Sequence, residues 1–153
     1  MKPRVASLQL QEYRYGQADL RNGLRIGVAR HLPRGIRRDD YAARGFFDVW
    51  LPLLAPSRTL VTSFRQDRIT HRQFVQKYRA EMRRPEPRQA IRLLAAMARR
   101  QPLQVGCFCT DPNRCHRTVL KSLIEDSVGD LPRPDSKAGE FFSPACSMPD
   151  IMD

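Results

Sequence analysis

The 153-residue chain carries 27 lysines and arginines against 16 acidic side chains, a formal net charge of +11, with 41% hydrophobic residues. That is enough apolar material for one buried core, and no apolar run approaches the roughly 20 residues that span a bilayer. No membrane-spanning helix is expected, and the excess positive charge points toward an anionic partner.

Of the 27 basic side chains 23 are arginine. They are spread along the chain, so for most of them a solvated helix face is the simpler account. The sequence has no aromatic RNA-binding motif, no two-Cys two-His finger and no basic region followed by heptads. The opening residues lack the continuous apolar core of a secretory signal, so a cytoplasmic protein is expected.

Residues 1–22 are polar, with scattered Tyr13 and Tyr15, and read as an N-terminal extension. In Leu24 to Arg30, Leu24, Ile26 and Val28 alternate with Arg25, Gly27 and Ala29, the pattern of a strand. The turn His31-Leu32-Pro33-Arg34-Gly35 follows at once, bringing Arg30 and Arg34 to one sheet edge. Asp39 to Ala43 suits a short helix broken by Gly45, and the aromatic, β-branched run Phe46 to Leu51 suits a second strand or a buried turn. Trp50 reads as a packing residue.

Ser57 is placed to cap a short helix with Leu60, Val61 and Phe64 on its apolar face. Thr70 and Gln73 form a capping box, and Ile69 with Phe74 has the spacing of a hydrophobic staple. The helix they open carries Phe74, Val75, Tyr78 and Met82 along one side and stops at Arg83-Arg84-Pro85. A further helix runs from about Pro87 to Arg100 with Ile91, Leu94, Ala95 and Ala98 as its core stripe. Pro102 leads into a strand over Leu103–Phe108. Beyond residue 128 the chain is rich in Pro, Asp, Ser and Gly and reads as a mobile tail over 129–153. Strands separated by helical segments predict an α/β domain over residues 23–128, a small three-layer unit with a largely parallel sheet flanked by helices.

The chemistry gathers in GCFCTDPNRCHR. Asp111-Pro112 is a helix-start signal, which sets Cys115, His116 and Arg117 near a helix N-terminus. Such an end favours anions and lowers a neighbouring thiol's pKa. His116 shares a stripe with Val119, Leu120 and Leu123 and points to the sheet, whereas Arg117 is turned toward the rim. Cys107 and Cys109 project to one face of their strand.

Three readings are open. Cys115 or Cys107 serves as a thiolate with His116 as acid or base, while Arg117, Arg30 and Arg34 hold a phosphate or carboxylate. Alternatively Cys107, Cys109, Cys115 and His116 bind zinc, although Cys-x-Cys-x5-Cys-His is unlike the usual knuckles. In the third, the thiols and imidazole are buried structural groups. That suits Cys107 and Cys109 taken singly, while Cys115, His116 and Arg117 together favour function. Cys146 stands alone in the tail.

The run from Gly106-Cys107 through Asp111-Pro112 to Cys115-His116-Arg117 resembles the signature of the domain of unknown function 488 (DUF488) family. Arg30-His31-Leu32-Pro33-Arg34-Gly35, Trp50-Leu51 with Leu54-Ala55-Pro56-Ser57, and Phe74 with Tyr78 are similar to its upstream blocks. The resemblance spans about residues 24–127. Cys109 departs from it, standing where the family usually has an acidic residue. The resemblance implies a compact α/β fold and a pocket of Cys107, Cys115, His116, Arg117 and the Arg30/Arg34 loop, with Asp111 beside it. It implies no reaction and specifies no cofactor. The leading expectation is a pocket for an anionic small ligand, a nucleotide or phosphorylated metabolite, with a nucleic-acid-binding module as the alternative.

Overall fold

The computed structural model describes residues 8–131, so Phe141, Phe142 and Cys146 lie outside the described residues. Four strands, β1 (Leu10–Arg14), β2 (Leu24–Gly27), β3 (Val49–Trp50) and β4 (Leu103–Cys107), pair in the order β1-β4-β2-β3, every pair parallel. The helices are α1 (Arg58–Arg65), α2 (His71–Met82), α3 (Pro85–Ala98) and α4 (His116–Ser127). The α/β class and the parallel sheet are as predicted.

Side-chain alternation gives the sheet two unlike faces. Leu10, Ile26, Val28, Leu103 and Val105 point to one side and share a core with Leu60, Phe74, Tyr78, Ile91, Leu94, Leu120 and Ile124 of the helices. On the other side loops and 3-10 turns form the third layer, and Tyr13, Tyr15, Tyr41 and Phe47 fill it. Glycine makes that aromatic packing possible. A Cβ at Gly106 would stand 2.3 Å from the Tyr13 ring, and one at Gly27 would stand 2.5 Å from Phe47. The polar members of this face are satisfied. Buried Arg25 grips Asp48 and the Ala42 carbonyl, and buried Gln104 donates to the Asp19 and Asn22 carbonyls.

Local signals account for most element ends. The Thr70 hydroxyl accepts from the Gln73 amide and the Gln73 side chain accepts from the Thr70 amide, completing the capping box. The Ser57 hydroxyl accepts from the Leu60 amide. Trp50 donates its indole N–H to the Ala29 carbonyl, a packing role as expected.

Four expectations shift. β1 lies in the stretch read as a polar N-terminal extension. β3 is only two residues, because Pro52 cannot continue a ladder and opens a 3-10 turn over Pro52–Leu54. α3 begins at Pro85, two residues before Pro87, since Pro85 itself fills the first helical position. Asp111-Pro112 opens a 3-10 turn, Pro112–Arg114, and the α-helix starts only after Cys115.

Candidate functional site

β2 and β4 are neighbours at the centre of the sheet, and the chain leaves their C-terminal ends on opposite faces. After β2 it enters the aromatic layer through Ala29, Leu32, Ile36 and Tyr41. After β4 it turns into α4, which packs in the helical layer. Such divergence opens a crevice beyond the strand ends, the place where parallel α/β proteins bind ligands. A cleft of about 620 Å³ occupies it. Its floor is Ala29, Cys107, Cys109 and His116, and its walls carry Arg30, Arg34, Arg65 and Arg114. Leu32, Val61, Phe64, Phe74 and Phe108 supply the apolar lining, and among the described residues no Asp or Glu lines it.

Cys107 and Cys109 line this floor, and Cys115 lies beside them without lining it. The three sulfurs lie within 4.8 Å of one another, with those of Cys107 and Cys115 only 2.7 Å apart. Cys107 and Cys115 are buried and Cys109 is exposed. Cys115 caps α4 with its side chain, its sulfur accepting from the Arg117 amide at 3.5 Å. The non-helical backbone of that cap position turns the thiol toward β4 and away from the helix surface.

Arg117 corrects the expectation that it faces the rim. It is only 4% exposed, and its Nη1 donates to the Cys107 sulfur at 3.5 Å and to the Cys109 carbonyl at 2.9 Å. Its Nε has no partner, and among the described residues it forms no ion pair with a carboxylate. A buried guanidinium without a counter-ion is costly, of the order of several kcal/mol. The thiols beside it supply that counter-ion if one of them is ionised.

The thiols' electrostatics agree. The Cys109 thiol is held far below its ordinary pKa, chiefly by the Cys107 and Cys115 thiols donating toward it, with the charge of Arg117 adding to the effect. Cys107 and Cys115 are pushed up, chiefly because their thiols donate hydrogen bonds within the cluster, with burial and the neighbouring negative charge adding to the effect. The cluster therefore gives up one proton readily and keeps two, the charge belonging to the set as a whole.

His116 is buried against the edge of Tyr78, whose hydroxyl donates to the Leu54 carbonyl. Burial lowers its pKa and keeps the ring neutral. Nε2 lies 2.8 Å from the Val28 carbonyl, which can only accept, so the proton sits on Nε2. Nδ1 is left as a lone pair, 3.8 Å from the Cys115 sulfur. An imidazole oriented by a third group and facing a thiol is an arrangement for proton transfer.

The remaining predicted residues divide. Arg30 lines the cleft, but its Nε and Nη2 donate to the Pro56 and Ala55 carbonyls and fasten the loop before α1. Arg34 is exposed in the wall. Asp111 is exposed, caps the 3-10 turn by accepting from the Asn113 amide, and does not line the cleft. Sequence reasoning missed Phe64, Arg65 and Arg114. Arg114 stacks over the Phe64 ring at 5.4 Å, a pairing between a loop and α1 with no local sequence signal.

A soft metal ion suits three thiolates chemically, but their spacing is wrong for zinc. Sulfurs 2.7 Å apart would subtend only about 70° at an ion about 2.3 Å from each, far from tetrahedral. Cys107 and Cys115 would have to separate by about 1 Å to share one.

Parallel strands, a crevice where their connections diverge and a thiol–arginine floor define the molecule as a small α/β protein with a cysteine-based cleft. A family model described as the active DUF488-N3 subclade, DUF488-N3a, matches residues 9–128, and the chain belongs to that family. The match begins ahead of β1 and so includes that strand. The chain is also 32% identical over 106 residues to the uncharacterized protein YeaO of Escherichia coli (strain K12), covering 69% of this chain and 87% of that protein. No solved structure matches.

Proposed function

We propose that the cleft binds an anionic small molecule with a flat or apolar part, a nucleotide or a phosphorylated metabolite, and acts on it through thiol chemistry. The observation that carries this is the composition of the cleft. Among the described residues four arginines and no carboxylate line a space whose remaining wall is largely aromatic and aliphatic. Arg34, Arg65 and Arg114 suit a phosphate, for which the guanidinium fork is well shaped. Phe64, Phe108 and Leu32 offer the apolar surface to a base or ring.

Cys109 is the nucleophile in this reading, being ionised and exposed at the floor. Cys107 and Cys115 stabilise its charge as hydrogen-bond donors, and Arg117 supplies the fixed positive charge behind them. His116 Nδ1 receives a proton from Cys115 when the cluster must yield a second one. The description of the matching subclade as active is consistent with an enzyme.

Calorimetry on fully reduced protein with a nucleoside and its monophosphate tests the reading. The monophosphate is expected to bind and the nucleoside to bind at least about tenfold more weakly, a difference of about 1.4 kcal/mol. Arg34→Ala and Arg114→Ala should each weaken the monophosphate, and bound monophosphate should slow alkylation of Cys109. Equal binding of the two compounds, or no protection, defeats the proposal. Salt-sensitive binding of a single-stranded oligonucleotide that survives alkylation of Cys109 would instead assign the positive charge to a nucleic-acid surface.

A further inference from the structure

The division of the three thiols into one exposed and two buried has no role in ligand capture. We propose that they form a two-electron relay that reduces an anionic disulfide, Cys109 making the attack and Cys107 with Cys115 retaining the oxidation as a buried disulfide. Three observations carry it. Cys109 alone of the three is exposed, at the floor of the cleft. Both other sulfurs lie within 4.8 Å of it. The Cys107 and Cys115 sulfurs, 2.7 Å apart, need to close by less than about 1 Å to reach the disulfide bond length. The inference rests on the cleft of the proposed function for capture of a negatively charged substrate, and goes beyond it in the reaction.

The steps balance. The Cys109 thiolate attacks one sulfur of the substrate disulfide, and the first substrate thiolate leaves. Cys115 passes its proton to His116 Nδ1 and attacks the Cys109 sulfur, expelling the second substrate thiolate, which takes that proton. Cys107 then loses its proton to the first departed thiolate. Held beside Arg117, it attacks the Cys115 sulfur and releases Cys109 as a thiolate. One substrate disulfide has become two thiols and two protein thiols have become one disulfide. A small dithiol as external reductant resets the site. Arg117 favours each thiolate in turn, and the cluster never carries more than the one negative charge it readily holds.

The test uses the reduced full-length chain, freed of reductant and exposed either to glutathione disulfide, which is anionic, or to cystamine, which is cationic. Acid quenching, alkylation and peptide mass mapping follow. A Cys107–Cys115 link, two thiols released per chain and a rate at least about tenfold higher for glutathione disulfide are expected, because like-charged arginines disfavour cystamine. Cys109→Ser, a change at an exposed position, should slow formation of the link at least about tenfold. Recovery of all three thiols free, a link to Cys146 instead, or an undiminished rate in Cys109→Ser would overturn the relay. Calorimetry with the monophosphate on the same reduced protein keeps the two readings apart. Nucleotide binding without the link removes the relay alone, and the link without nucleotide binding removes the nucleotide reading alone.

Discussion

Arg117 determines what the three cysteines can be. Buried, unpaired with any described carboxylate and donating to the Cys107 sulfur, it makes a neutral trio of thiols the expensive state and an ionised trio the cheap one. Arg117→Met keeps most of the volume and removes the charge. The pH midpoint for alkylation of Cys109 should then rise, while the hydrogen bonds from Cys107 and Cys115 still hold it below the ordinary thiol value. A midpoint unchanged in this variant would mean that the thiolate draws its stability from the Cys107 and Cys115 thiols alone. Sequence placed Arg117 beside the site and missed its direction. The reason is the backbone of Cys115: helical periodicity cannot be extended through a cap in extended conformation, so positions counted from Pro112 come out rotated.

At the scale of the elements, two glycines let the aromatic layer rest directly on the sheet. Gly106→Ala would place a methyl group 2.3 Å from the Tyr13 ring, whose hydroxyl is tied to the Phe46 carbonyl and so cannot retreat freely. A loss of about 2–3 kcal/mol in urea unfolding is expected. Cys107 is the next residue in β4, so alkylation of the cluster should lose its selectivity in the same variant. Much of this level was legible: capping box, staple, core stripes and the strand into Cys107 all follow from local pattern. β1 was not, because its two buried sides are staggered. Leu8 and Leu10 alternate with glutamines toward one face, then Tyr13 and Tyr15 take over on the other. A single-face alternation test therefore fails at Glu12, although each half is visible in the sequence.

For the whole molecule, three groups, Cys109, His116 and Asp48, make stability depend on pH in the same direction. His116 has its pKa lowered by burial, so the unfolded chain binds its proton first. Stability from this source is complete above the unfolded value of about 6.5 and falls as pH drops below it. Asp48 has its pKa lowered chiefly by hydrogen bonding from Arg25, which has the same sign, with losses beginning only below the unfolded carboxylate value of about 3.9. Urea midpoints should fall as pH drops from 8, because the unfolded chain takes up the Cys109 proton below about 8.5, with added declines from His116 below about 6.5 and from Asp48 below about 3.9. His116→Gln should remove the first added decline and Asp48→Asn the second. The overall class and the gathering of thiols, imidazole and arginines at one strand end were readable because they sit in contiguous sequence. The cleft's far wall was not, since Phe64 and Arg65 reach it only through the packing of α1, some fifty residues from Arg114 in the chain.

The order β1-β4-β2-β3 also constrains synthesis. The first two strands never touch each other; each is held by the one that leaves the ribosome last. Until residues 103–107 have cleared the exit tunnel, a nascent chain has only the short β2–β3 pairing available, and its amino-terminal strand waits with an open edge. The chain must be made through residue 107 and beyond before the sheet can close, and the segment that closes it is the one bearing Cys107.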